Sequence, residues 1–159
     1  MKPKALILQA HGSNRDFDVI EALTLAGADA LGIPLNELRM NKTLLTDFNL
    51  LVLPGGFSYA DALGAGKLLA LDLASYFADE IFAFVASGKP VIGICNGFQA
   101  LVKSGILPFG DTKDERRKND SRVTLTFNQQ GHFECRWVTL KATSKKCVWT
   151  KDLANLIEC

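Results

Sequence analysis

The residues best placed by type and spacing to do chemistry are Gly93-Ile94-Cys95-Asn96-Gly97, a thiol with glycine two positions away on either side. A cysteine reacts as its thiolate, and at an ordinary pKa of about 8.5 only a few per cent is thiolate at neutral pH. The spacing has the form of a nucleophile elbow, G-x-S-x-G with Cys in place of Ser, where a strained strand-to-helix turn lifts the nucleophile out of a sheet. Such a turn needs glycines because neighbouring Cβ atoms would clash. The sulfur would then lie beside a helix N-terminus, whose partial positive charge favours thiolate. The same pentapeptide could instead close a core strand with a buried, inert cysteine. Pro54-Gly55-Gly56-Phe57 is a second element. Two glycines directly after an apolar run let backbone N–H groups face a ligand at the same sheet edge. With the Asn96 N–H they would make an oxyanion hole, each donor contributing about 2.7–4 kcal/mol in the transition state. A type II turn is the plainer reading of Pro-Gly alone. Two such loops at neighbouring strand ends point to acyl transfer through a thioester.

Positioning these loops requires a strand before each and a helix after the elbow. Ala5–Leu8, Leu50–Leu53 and Val91–Ile94 are short apolar runs closed by turn residues, the pattern of fully buried parallel strands. Ala30–Ile33 is a further strand interrupted by Gly32. Helical spacing recurs from Asp16 through Phe17, Ile20, Leu23 and Ala26 to a stop at Gly27, then over Leu63–Leu73, Glu80–Ala86 and Gly97–Val102. Strands alternating with helices predict right-handed crossovers and a doubly wound, mostly parallel α/β sheet. In such sheets ligands sit outside the carboxyl ends of the strands, which singles out the loops at His11, Pro54 and Cys95. Beyond Pro108 the pattern changes. Asp111–Asp120 holds eight charged residues in ten and reads as a solvated loop. Val123–Phe127 and Phe133–Leu140, on either side of Asn128–Gly131, predict an antiparallel strand pair near the C-terminus.

Length and composition set the outer limits. At 159 residues the chain is one domain's worth, and 48% hydrophobic with 22% charged residues excludes a disordered tail, a collagen-like fibre or a low-complexity linker. A net charge of +1 makes no electrostatic case for nucleic acid or an acidic membrane. Four cysteines without C-x-x-C spacing, beside two histidines, argue against a zinc site and for reduced thiols. No run of about 18 apolar residues is present to span a bilayer and no leader is evident, so a cytoplasmic protein is expected. Gly64-Ala65-Gly66-Lys67 lacks the first Gly and the final Ser or Thr of a phosphate loop, and reads as a small-residue helix face packed on a neighbour.

Three runs carry a family resemblance: Pro54-Gly55-Gly56-Phe57-Ser58-Tyr59-Ala60-Asp61, Gly93-Ile94-Cys95-Asn96-Gly97-Phe98-Gln99 and Phe133-Glu134-Cys135-Arg136-Trp137-Val138. They resemble class I glutamine amidotransferases, and more narrowly the glutaminase subunits or domains of phosphoribosylformylglycinamidine synthases, which serve purine biosynthesis. The resemblance implies a flavodoxin-like glutaminase fold over one domain, residues 1–159. It implies that Cys95 attacks the side-chain amide of glutamine, giving a γ-glutamyl thioester and ammonia. Gly56, Phe57 and Asn96 fall on its oxyanion-hole segments, while Gly55, Gln99 and the Asn128–Phe133 stretch, Phe133 included, fall on segments that hold the glutamine. Ammonia would pass to a synthase partner that uses ATP and Mg to make the amidine from formylglycinamide ribonucleotide; the glutaminase itself would need no cofactor.

One part of the family pattern is missing. Members carry a catalytic His and Glu in a P-H-P-E-like motif near the carboxyl end, and nothing here matches it. His11 follows the first strand, His132 sits in the Gln130-Gly131-His132 turn, and neither Glu134 nor Glu158 has a histidine placed to form a dyad. The expectation is a shortened glutaminase, inactive by itself, since losing the base of a catalytic unit can cost about 10⁶ in turnover. A sheet without its last strands would also expose an edge, so self-association or a covering partner is expected. Two other functions fit the residues: a catalytically silent module that docks on the synthase, and another cysteine-elbow hydrolase acting through Cys95.

Overall fold

The computed structural model describes residues 1–108, 123–143, 145, 147–152 and 156–158. The charged stretch Asp111–Asp120 and Cys159 lie outside them. The described chain divides into two compact units, Met1–Leu125 and Thr126–Cys159.

In the first unit, β1 (Lys4–Gln9), β2 (Asp29–Pro34), β3 (Leu50–Leu53) and β4 (Val91–Gly93) form one sheet in the order β2-β1-β3-β4. All three pairings are parallel, with Leu6 opposite Leu31 and Leu51, and Val52 opposite Ile92. Alternation along β1 and β3 buries both faces of the sheet. Leu6, Leu8, Leu51 and Leu53 pack on one side with Leu69, Leu73, Phe77, Ile81, Phe84 and Leu101. Ala5, Ile7 and Val52 pack on the other with Val19, Ile20 and Leu23. Each fully buried aliphatic chain of this kind contributes about 1.5–3 kcal/mol, which makes β1 and β3 the centre of the unit. The helices follow from the two faces: α1 (Asp16–Leu25) covers one, while α3 (Lys67–Asp72), α4 (Ala78–Ala86) and α5 (Asn96–Lys103) cover the other. The fold is the doubly wound α/β sheet that the strand–helix alternation predicts.

Several local expectations shift. Phe17, counted in the apolar stripe of α1, is 75% exposed, and the neighbouring Asp16 is buried instead. Gln9 Nε2 donates to Asp16 Oδ2 at 2.5 Å and holds that first turn inward, so the buried stripe runs through Val19, Ile20 and Leu23. The helix expected from Leu63 begins only at Lys67, because Gly64 and Gly66 have φ of +87° and +67°. Gly66 does make a close approach, since a Cβ there would lie 3.0 Å from the Asn96 carbonyl oxygen. The approach is made by the turn before α3 rather than by a helix face. A short helix α2 (Leu35–Met40) and a 3-10 turn Lys42–Asp47 fill the span before β3, which carries no clear periodicity.

In the second unit Gly131 N donates to Asn128 O at 2.9 Å, closing the turn expected at Asn128–Gly131. The flanking segments do not pair with each other. An antiparallel pair is present near the C-terminus, but it joins β5 (Thr139–Leu140) to β6 (Ile157–Glu158). Phe127, Phe133 and Trp137 are 92%, 86% and 85% exposed, so the predicted hairpin has no packed face. A two-stranded hairpin without one is marginal in water.

Candidate active site

Cys95 lies between β4 and α5 with φ 50° and ψ −108°, a backbone conformation that residues with a Cβ rarely adopt, and its side chain is exposed. Strain of this kind costs on the order of 1–3 kcal/mol and persists only where the surroundings over-determine it. Here they do. Ile94 N–H donates to Leu53 O at 3.0 Å, Gly97 N–H to Ile94 O at 2.9 Å and Gln99 N–H to Cys95 O at 3.0 Å, so backbone bonds pin the turn from both ends. A Cβ on Gly93 would lie 2.8 Å from Phe98 Cα and 2.7 Å from Leu101 Cδ1, and Gly97 is pressed on the Leu53 carbonyl. Both glycines are therefore required by close approach. The thiol faces out of the sheet rather than into the core, the outcome an elbow demands.

The loop after β3 meets the elbow directly. A Cβ on Gly55 would touch Cys95 Cβ at 3.4 Å and Ile94 O at 3.5 Å. Gly56 has φ 111°, and a Cβ there would collide with Asn14 Oδ1 at 2.6 Å and Asn14 N at 2.8 Å. Tyr59 N–H donates to His11 O at 2.7 Å and Ser13 Oγ to Gly55 O at 3.4 Å. The loops following β1 and β3 are thus bonded to each other, and the second rests against Cys95. The Asn96 N–H occupies the first position of α5, where no carbonyl one turn earlier in the helix can accept it.

The structure gathers Gly55, Gly56, Phe57, Cys95 and Asn96 at the carboxyl ends of β3 and β4. Gln99 is half-buried on the first turn of α5. Phe57, Ile94 and Phe98 are 65%, 43% and 43% exposed. Phe133 belongs to the second unit, where it lines an open hollow with Gln130, His132, Glu134, Cys135 and Arg136. The imidazole of His11 lies 6.3 Å from the Tyr59 ring, centroid to centroid, and no hydrogen bond among the described residues joins it to Cys95. His132 is exposed, with Nδ1 3.1 Å from Gln130 O. Cys135 and Cys147 are exposed free thiols. The described residues contain no cluster of His, Cys, Asp or Glu able to hold a metal ion, and no helix long and apolar enough to cross a membrane.

Two residues that sequence reasoning left without a role stand directly behind the elbow. The turn Ser58–Asp61 carries three consecutive left-handed non-glycine residues, Tyr59, Ala60 and Asp61, at φ 56°, 50° and 50°. Left-handed backbone costs roughly 1–2 kcal/mol per such residue. Bonds from elsewhere hold the turn. Tyr59 OH donates to Asp72 Oδ2 at 2.5 Å, and burial first, then this bond and the carboxylate's negative charge, push the phenol up to about 12. Ser58 Oγ donates to Asn96 Oδ1 at 2.5 Å, and Asn96 Nδ2 donates to Asp61 Oδ1 at 3.0 Å. Ser58 and Asp61 are in the PGGFSYAD run, yet nothing in the sequence pairs them with a residue more than thirty positions away.

Comparison with known proteins agrees with this architecture. The sequence model of the CobB/CobQ-like glutamine amidotransferase domain matches residues 2–158. The chain is 56% identical over 165 aligned positions to phosphoribosylformylglycinamidine synthase subunit PurQ of Treponema denticola, covering 100% of this chain and 61% of that protein. It is 43% identical to the PurQ subunit of Dehalococcoides mccartyi, over 98% of this chain and 59% of that one. Among solved structures, PurLQS from Thermotoga maritima superposes with a TM-score of 0.75 at 31% identity, over 100% of this chain and 64% of the matched chain. The chain thus spans about three fifths of the length of these relatives. A match over nearly every residue, on a sheet whose β4–α5 junction holds an exposed thiol at positive φ, leaves one assignment: the chain belongs to the CobB/CobQ-like glutamine amidotransferase family.

Proposed function

We infer that this chain is the nucleophile-bearing part of a glutaminase that supplies ammonia to a phosphoribosylformylglycinamidine synthase, acting through Cys95. The observation that carries the reading is the exposed Cys95 side chain at φ 50°, with Gly55 packed on its Cβ. The thiolate adds to the side-chain amide carbon of glutamine, and the carbonyl oxygen takes up the negative charge. Main-chain N–H groups of Gly56, Phe57 and Asn96 receive that charge, each donor contributing about 2.7–4 kcal/mol. The carbon–nitrogen bond then breaks, nitrogen leaves as ammonia after gaining a proton, and a γ-glutamyl thioester remains. Water hydrolyses the thioester to glutamate and restores the thiol. Gln99, one helical turn beyond the nucleophile, pairs with the polar end of the substrate.

The chemistry asks for no metal or nucleotide on this chain; ATP and Mg belong to the synthase partner. The PurQ subunits that the chain resembles carry the name of that synthase, and the PurLQS structure points to the same assembly. Protonation of the leaving ammonia needs an acid–base group beside the sulfur, and no hydrogen bond among the described residues links Cys95 to a histidine. The chain alone is therefore alkylated at Cys95 by a glutamine-like electrophile, which needs no proton donor for its leaving chloride, but turns glutamine over about 10⁶ times more slowly than a complete catalytic unit. Mass spectrometry after incubation with a glutamine-derived chloroketone tests the first half of this statement. Labelling confined to Cys95 and blocked by glutamine is expected, whereas labelling spread over Cys135 and Cys147 would overturn it. A glutaminase assay on the same chain tests the second half: turnover at ordinary rates would make His11 the residue to mutate.

A further inference from the structure

The Asn96 carboxamide, next to the nucleophile, is engaged at both ends by a single turn of another loop. Asn96 is 3% exposed, and its Oδ1 and Nδ2 are taken by Ser58 Oγ and Asp61 Oδ1 at 2.5 and 3.0 Å. Ser58 is as deeply buried, at 3% exposure. Asp61 Oδ1 also accepts the Gly66 N–H at 3.2 Å, which fastens the carboxylate to the start of α3. No side chain caps the N-terminus of α5, so the side chain of Asn96 is held from outside its own helix. The loop that carries the three left-handed residues is thus the same loop that grips the first residue of α5.

We propose that Ser58 and Asp61 are positioning residues: together they clamp the Asn96 carboxamide, and through it keep the peptide between Cys95 and Asn96 turned with its N–H beside the thiol. This deepens the thioester reading and rests on it. A buried carboxamide with one donor and one acceptor partner has a single low-energy orientation, because any rotation leaves a buried polar atom unpaired. Removing either partner frees the carboxamide, and the flanking peptide gains room to relax from the geometry that the positive φ of Cys95 requires. The role of Asp61 needs only an acceptor, not a charge. Asparagine therefore substitutes for it, and asparagine also tolerates left-handed backbone.

The test uses the purified chain and three variants, Asp61→Asn, Asp61→Gly and Ser58→Ala. Asp61→Gly removes the acceptor at a position where glycine is at ease, so backbone strain cannot explain its effect. Two readouts are compared: exchange of the Asn96 carboxamide protons by NMR, and alkylation of Cys95 by a glutamine-derived chloroketone against iodoacetamide. In Asp61→Gly and Ser58→Ala, exchange should be about 10-fold faster and chloroketone labelling about 10-fold slower, with iodoacetamide labelling within about 2-fold of the parent. Asp61→Asn should behave as the parent in both. Parent-like exchange in Asp61→Gly and Ser58→Ala would overturn the clamp, as would an equal loss of reactivity toward both reagents, which marks general loosening. A parent chain that shows no preference for the chloroketone would sink the thioester reading instead, and the exchange rates would still decide the clamp.

Discussion

The α-carbon of Gly97 sits so close to the Leu53 carbonyl that a methyl group placed there would lie 2.1 Å from its oxygen and 2.6 Å from its carbon. This contact brings the first turn of α5 against the end of β3, and so sets Cys95 beside Gly55. Backbone on both sides of the collision leaves nothing flexible to move aside. Gly97→Ala should destabilise the chain by about 3 kcal/mol or more, at the upper end of what overpacking costs. Urea unfolding checks it: a lower midpoint with an unchanged slope is expected, and an unchanged midpoint would mean that the elbow opens without cost.

At Cys95, backbone strain and the proposed chemistry pull in opposite directions. Cys95 holds φ 50° and ψ −108°, where glycine has no Cβ to clash. Cys95→Gly relieves on the order of 1–3 kcal/mol of backbone strain and loses about 0.5–1 kcal/mol to the greater freedom of the unfolded chain. The net expectation is a gain of about 1 kcal/mol, read as a higher melting temperature together with complete loss of chloroketone labelling. A lower melting temperature would show that the turn is unstrained.

Gly56 holds two loops apart by the smallest possible margin. With φ 111° and Asn14 Oδ1 and N at 2.6 and 2.8 Å from a Cβ, Gly56→Ala meets both a conformational and a steric obstacle. A loss of about 2 kcal/mol is expected, together with a displaced loop. Labelling of Cys95 by the glutamine chloroketone should slow at least about 10-fold while iodoacetamide labelling is retained. Equal reactivity of the variant and the parent would remove Gly56 and Phe57 from the proposed oxyanion hole.

The Tyr59–Asp72 bond makes an alkaline prediction. The phenol is raised from 10.0 to about 12 in the folded chain, first by burial and then by the hydrogen bond and charge of Asp72. Between those two values the unfolded chain has lost a proton that the folded chain still holds. Stability from this group is therefore complete below pH 10 and falls as pH rises toward 12. The ring is partly open to solvent, which makes the slope shallower than the full linkage limit. Ultraviolet titration should show one of the chain's two tyrosines ionising near 12. Tyr59→Phe should abolish that step and flatten the loss of stability between pH 10 and 12; a Tyr59→Phe titration still showing a step near 12 would overturn the assignment.

The buried strands, the glycines of the elbow and the Pro-Gly-Gly loop are all legible in the sequence, because each is a local demand. The apolar run Leu51–Leu53 must be buried wherever it lies, and Gly93 and Gly97 mark places where a Cβ cannot fit. Pattern reading fails where a residue answers to something distant. Phe17 has the spacing of a core residue, yet a bond between Gln9 and Asp16 turns the helix the other way. Val123–Phe127 and Phe133–Leu140 have the alternation of strands, yet of these only Thr139–Leu140 forms one, and it pairs with Ile157–Glu158 instead. Ser58, Asp61 and Asn96 are ordinary polar residues in sequence, and only the crossing of one loop behind another makes them a unit. By itself the sequence determined that a thiol would stand at a strand-to-helix turn. Tertiary structure decided what holds that turn in place, because hydrogen bonds between residues far apart in the chain exist only once the sheet has brought their loops together.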